Sequence, residues 1–161
     1  MSQDPQIIQC EAIVAAPIQS VWEAWTTNEG ASTFFAPAAN ISAKPGGAYE
    51  ILFNPSAPAG SRGAEGMTVL AVQEPIFLSF TWNAPPHLPT VRGQFTHVEI
   101  RLEELGEEST RVTLEHGGWG TGGEWDAAFD YFVSAWGKVV MPRLVHRFAE
   151  GPVDWDNPPS L

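Results

Sequence analysis

The sequence predicts an α+β architecture, a run of antiparallel strands followed by one long C-terminal helix, an order compatible with several α+β folds. Three observations predict it: an opening strand followed by two short helices, a period-two pattern from Asn40 to Glu115, and an apolar stripe at helical spacing from Trp125 onward.

The opening strand is IIQCEAIVA, which alternates apolar and polar residues up to Ala16-Pro17. Proline suits the first turn of a helix, where its missing N–H costs nothing, and IQSVWEAWT continues as a short helix with Val21, Trp22 and Trp25 on one side. Asn28 is the expected N-cap of a second short helix ending near Phe34-Phe35. KPGG, from Lys44 to Gly47, is a tight turn between the strands ANISA and AYEILFN, and alternation puts Tyr49, Ile51 and Phe53 on one face. NPSAPAGSRGAEG has no apolar rhythm and reads as a mobile loop. GMTVLAVQ and IFLSFTW are strands joined at Glu74-Pro75, the second carrying Ile76, Leu78, Phe80 and Trp82 on a single face. NAPPHLPTVRG is too rich in proline for an interior strand and is expected to be a loop over one end of the sheet, a rim or a lid. HVEIRLEEL and STRVTLEHGGW form a hairpin around Gly106, with Val98, Ile100 and Leu102 facing inward beside Val112, Leu114 and His116.

Thr121-Gly122-Gly123-Glu124 has the capping-box spacing that satisfies the free N–H groups of a helix start. Trp125, Phe129, Phe132, Trp136, Val140, Leu144 and Phe148 then form one stripe, and it keeps its phase across Pro142, which predicts a single bent helix rather than two. Glu124 and Asp126 complement the positive end of its dipole, and Arg143, His146 and Arg147 the negative end. Gly151-Pro152 stops it, so residues 151–161 are expected to be an irregular tail beyond a core of residues 7–150. A chain of 161 residues, 43% hydrophobic, is expected to be one domain that buries its core without disulfides or structural metal.

Cys10 is the single cysteine and lies in an alternating apolar stretch, which implies a buried thiol in a reducing compartment. MSQDPQIIQC lacks the basic patch and apolar run of a secretion signal, and no stretch approaches the roughly 20 apolar residues of a membrane span. A cytoplasmic protein without a membrane partner is the expectation. Nineteen acidic against eight basic residues give a formal charge of −11, a field that repels nucleic acid. The four histidines are not closely spaced and there is no second cysteine, so no metal is expected; no phosphate loop or nucleophile elbow calls for a cofactor or a covalent mechanism.

IVAAPIQSVWEAWT, the Phe34-Phe35 pair, KPGGAYE, EGMTVLAVQEPIFLSFTW and TRVTLEHGGW, in this order and spacing, resemble the START-like (SRPBCC) superfamily, and within it the branch named for homologues of the activator of the heat-shock-protein ATPase. The similarity spans nearly the whole chain. It departs at the last helix, where Trp136 precedes Gly137 while many relatives carry Gly-Trp, and at Pro55–Gly66 and Val153–Leu161. The resemblance implies a helix-grip fold with a cavity between sheet and helix. It implies no one reaction, because the fold hosts lipid carriers, hormone receptors, cyclases and chaperone regulators.

Seven tryptophans and nine phenylalanines make aromatic rings the principal candidate lining of that cavity. The candidate ligand-binding residues are Trp25, Phe35, Tyr49, Phe53, Met67, Phe80, Trp82, His116, Trp119, Phe129, Phe132 and Trp136. For any single ring core filling is the favoured role, whereas so many rigid rings around a curved sheet favour a space left among them. Tyr49, Glu65, Arg92, Asp126 and Tyr131 are candidates to reach a ligand near the pocket mouth, with solvated surface roles the default for the three charged residues. His116, with Tyr49, is the candidate for acid–base work, against the alternative of a structural histidine satisfied in the core. The leading expectation is a module that binds a small apolar or aromatic molecule, as monomer or homodimer. The alternatives are a cyclase- or hydratase-like enzyme using His116 and a regulator of a chaperone ATPase or stress-response protein.

Overall fold

The structure is a computed structural model and describes residues 6–161; residues 1–5, part of the segment read above for a secretion signal, lie outside the described residues. Strand β1 (Ile8–Val14) leads into α1 (Ile18–Thr26), the short α2 (Asn28–Ala31) and the hairpin β2 (Ala38–Ile41) and β3 (Tyr49–Leu52). β4 (Val69–Gln73), β5 (Phe77–Trp82), the short α3 (Pro89–Arg92), β6 (Thr96–Gly106) and β7 (Ser109–Gly117) follow. The chain closes with α4 (Glu124–Ser134), a π-helical segment (Ala135–Val140) and α5 (Met141–Ala149).

The main sheet is antiparallel in the order β1-β7-β6-β5-β4. The β2-β3 hairpin extends it beyond β4 through backbone bonds from Tyr49 to Met67 and between Gly47 and Val69, both 2.8 Å. Register keeps alternation intact across the sheet. Val98 pairs with His116, Ile100 with Leu114 and Leu102 with Val112, so these residues share the buried face under the last helix. This is the helix-grip fold that the resemblance implies. Phe132, Trp136, Val140 and Leu144 are buried on the sheet side of the helix, each contributing about 1.5–3 kcal/mol through the area it removes from water.

Several local expectations are corrected. Asn28 does not cap α2: Thr27 does, its hydroxyl accepting the Gly30 N–H at 2.9 Å, because Asn28 Oδ1 is taken by the Ile41 N–H at 2.7 Å. Helix α2 also stops at Ala31, and a turn carries the chain to Phe35. The capping box at Thr121 does not form. Gly123, at φ 56°, precedes α4, and Glu124 turns outward from its own helix to accept the N–H groups of Thr90 and Val91 at 2.9 and 3.2 Å, which caps α3 instead. The run from Glu124 to Ala149 continues without a break across Pro142, and its irregularity lies just upstream, as six residues of π-helix.

The loop between β3 and β4, read as mobile, is tied down by side chains. Glu65 accepts from the Gly60 and Arg62 N–H groups, and the Arg92 guanidinium donates to the carbonyls of Gly60, Gly63 and Ala84. The proline-rich loop is a rim rather than bare coil, since it contains α3 packed on α4. Residues 151–161 are irregular yet docked: the Val153 N–H donates to Thr33 O, the Trp155 indole to Ser32 O at 2.7 Å, and Arg143 lies over the Trp155 ring. Ile76, expected inward, is 43% exposed because it precedes the start of β5.

Candidate functional site

His116 reaches the interior because it lies on the buried face at the end of β7, with no part of it exposed. The Trp136 indole donates to its Nδ1 at 3.0 Å. An indole can only donate, so Nδ1 is the bare nitrogen and the ring proton sits on Nε2, which donates to Thr96 Oγ1 at 2.6 Å. Thr96 in turn donates to Trp82 O at 3.4 Å. A second proton would set an N–H against the indole N–H. Burial, with the charge of His97 as a smaller cause, accordingly lowers the His116 pKa to about 3. Both nitrogens are spoken for, and the ring is enclosed by Trp119, Phe132 and Trp136.

Tyr49 is also fully buried. Its hydroxyl donates to Trp25 O at 2.8 Å, its ring stacks on Phe80 with centroids 3.9 Å apart, and burial raises its pKa well above the usual phenol value. No hydrogen bond joins it to His116, so the acid–base pair expected from the sequence is not assembled.

The space between sheet and helix is largely taken by rings. Trp25 meets Phe34 and Phe35 edge-on, Phe35 stacks on Trp82 at 5.8 Å, and Trp82 leans on Trp136 at 5.5 Å. What remains open is a pair of adjoining clefts of about 190 and 160 Å³ along the last helix, sharing Phe53, Trp82, Tyr131 and Phe132 as their common wall. The first runs out under the rim formed by Asn83–Pro86 and Arg92 and the loop at Ser61–Gly63. The second follows the π-helical segment past Ala135, Trp136 and Val139 to Arg143. Phe53, expected inward, is instead 45% exposed at the shared mouth, opposite Tyr131 at 43%.

Of the candidates named from sequence, Phe53, Trp82, Phe132 and Trp136 line these clefts. Trp25, Phe35, Tyr49, Met67, Phe80 and His116 pack in the core, while Trp119 and Phe129 are half-buried against it; none of these eight faces either cleft. Tyr131 and Arg92 lie at the mouth, as expected. Glu65 stands behind Arg92 at 4.0 Å with its carboxyl held below the usual range, first by the Gly60 N–H; Asp126 does not line either cleft. Ala135, Val139 and Arg143 were not singled out as lining residues. The helical stripe names the face that packs on the sheet, and these residues lie on its flank, one turn apart, where only the gap left by the neighbouring rings makes them a wall.

A wider depression of about 730 Å³ lies elsewhere, around Ile76, Phe77 and the β6-β7 hairpin. It is shallow and its cations are spent, Arg101 on Glu99 at 3.2 Å and Arg111 on Glu103 and Glu11 at 2.6 and 3.3 Å. Among the described residues no helix is long and apolar enough to cross a membrane, and no three His, Cys, Asp or Glu side chains are grouped to hold a metal ion.

The chain is similar in fold to several solved structures. DynU16, from the dynemicin biosynthetic locus, superposes with a TM-score of 0.66 at 20% identity over 91% of this chain, which spans 48% of that protein. The Aha1 dimer protein of Colwellia psychrerythraea gives 0.65 at 16% identity, covering 91% of this chain and 98% of that one. PFC0360w, an HSP90 activator from Plasmodium falciparum, gives 0.62 at 13% identity, covering 86% and 92%. A comparison with curated proteins returned no match. At these identities the likeness is one of fold. The family model described as activator of Hsp90 ATPase homolog 1-like protein matches residues 15–148, most of the strands and helices that build the clefts, and the chain belongs to that family.

Proposed function

We propose that this chain is a binding module for a small apolar or aromatic molecule, held in the paired clefts between the sheet and the last helix. The observation that carries the reading is the continuous wall of Phe53, Trp82, Tyr131 and Phe132, in which Phe53 and Tyr131 expose their rings at the mouth and Trp82 and Phe132 close the clefts behind them. Each cleft is below the roughly 300 Å³ at which drug-sized sites begin, so the occupant is on the scale of one or two fused rings. The π-helical segment supports the reading, since such segments interrupt regular packing and recur at functional sites.

The acid–base alternative lacks support in the geometry, because His116 has no free nitrogen and no open space beside it. Regulation of a chaperone ATPase is the reading that the family name suggests.

The test is titration with 2-naphthol, a neutral fluorescent probe of two fused rings. Saturable uptake by the native chain is expected, and Ala135→Trp, which fills the second cleft from the helix flank, should abolish or displace it. Uptake that is absent in the native chain, or unchanged in the variant, would remove this reading.

A further inference from the structure

The eight basic residues are not spread evenly over this acidic chain: Arg62, Arg92 and Arg143 all line the two clefts, and no Asp or Glu does. Their donors are committed to different degrees. Arg92 is held by the carbonyls of Gly60, Gly63 and Ala84 and stands 4.0 Å from Glu65. Arg62 donates through Nε to Ala57 O, and Glu65 offsets its charge. Arg143 differs from both. Among the described residues it has no carboxylate partner and makes no hydrogen bond, and it rests with its guanidinium over the Trp155 ring, 5.2 Å from the centroid.

Resting on the ligand-binding reading above, we propose that the occupant is an aromatic carboxylate, its rings against the Trp82–Phe132 wall and its carboxylate on Arg143. The Arg143 guanidinium is partly desolvated, its pKa lowered by burial alone, so it carries an uncompensated cost that an anion at the end of the cleft relieves. A planar guanidinium with free donors matches a carboxylate bidentately. Trp155 packs its ring against that guanidinium, so the docked tail serves as a positioning element for the anion site. The formal charge of −11 disfavours anions over the surface as a whole, so an anion site requires a local cation such as Arg143.

The experiment compares 2-naphthoate with methyl 2-naphthoate by tryptophan fluorescence titration at about 0.15 M ionic strength. The acid should bind about tenfold more tightly than the ester, the scale of one charge-assisted bidentate contact. Arg143→Gln should erase that preference, so that acid and ester bind the variant with equal affinity, and an unchanged far-ultraviolet circular dichroism spectrum reports that the variant is folded. Equal or tighter binding of the ester by the native chain, or a preference that survives Arg143→Gln, overturns the carboxylate assignment and leaves the ligand-binding reading intact. Failure of both compounds to bind the native chain overturns the two together.

Discussion

Replacing His116 with glutamine should flatten the loss of stability that the native chain suffers below pH 6.5. The native imidazole is neutral, bonded at both nitrogens, and its pKa falls from 6.5 to about 3 on folding. Above pH 6.5 neither the folded nor the unfolded chain binds the proton, so the full stability is present. Between pH 6.5 and about 3 only the unfolded chain binds it, and each unit of falling pH removes about 1.4 kcal/mol. At about pH 4.5 the loss amounts to about 3 kcal/mol, a large share of the roughly 5–15 kcal/mol that holds a domain together. Glutamine offers an acceptor to the Trp136 indole and a donor to Thr96 without titrating, at a cost of about 1–3 kcal/mol at neutral pH for imperfect geometry. Urea unfolding of both proteins, followed by tryptophan fluorescence from about pH 8 to 4.5, measures the difference, and the nineteen acidic residues common to both cancel. Parallel stability curves for native chain and variant would refute the neutral, doubly bonded histidine.

Three further outcomes follow from the packing. Tyr49→Phe should cost about 1–2 kcal/mol in urea unfolding, because Trp25 O loses its buried partner, while probe uptake by the clefts stays unchanged; altered uptake would return Tyr49 to the site. Glu124→Ala should cost about 1 kcal/mol and speed hydrogen exchange at Thr90 and Val91, whose N–H groups it caps; exchange that accelerates instead at the start of α4 would restore the capping box at Thr121. Trp155→Ala should lower the thermal midpoint through about 1–2 kcal/mol of lost hydrogen bond and cation–π contact, and an unchanged midpoint would show that the tail is not docked.

The fold was legible because its signals are periodic and redundant. Alternation alone placed Val98, Ile100, Leu102, Val112, Leu114 and His116 on one face, and the stripe from Phe132 to Leu144 placed the helix that covers it. Motifs whose partners are local in sequence fared worse wherever a distant group competed. Asn28 was taken by β2, and Glu124 by the rim helix, so Thr27 and the bare Gly123 stand at the helix starts instead.

For the site, sequence supplied the ring inventory but not its division between filling and lining. Trp25, on the apolar side of α1, and Trp82, on the inward face of β5, both read from the sequence as inward-facing rings. One is closed in by Phe34 and Phe35, while the other keeps part of its surface at a gap. Periodicity decides which face of each element turns inward, because that choice depends only on a residue's own strand or helix. Whether inward residues meet or leave space depends on the summed volumes of side chains from β3, β5, the rim and the last helix, and on the π-helical segment that shifts Ala135, Val139 and Arg143 along the mouth. Those are properties of several segments at once, and only the tertiary structure brings them together.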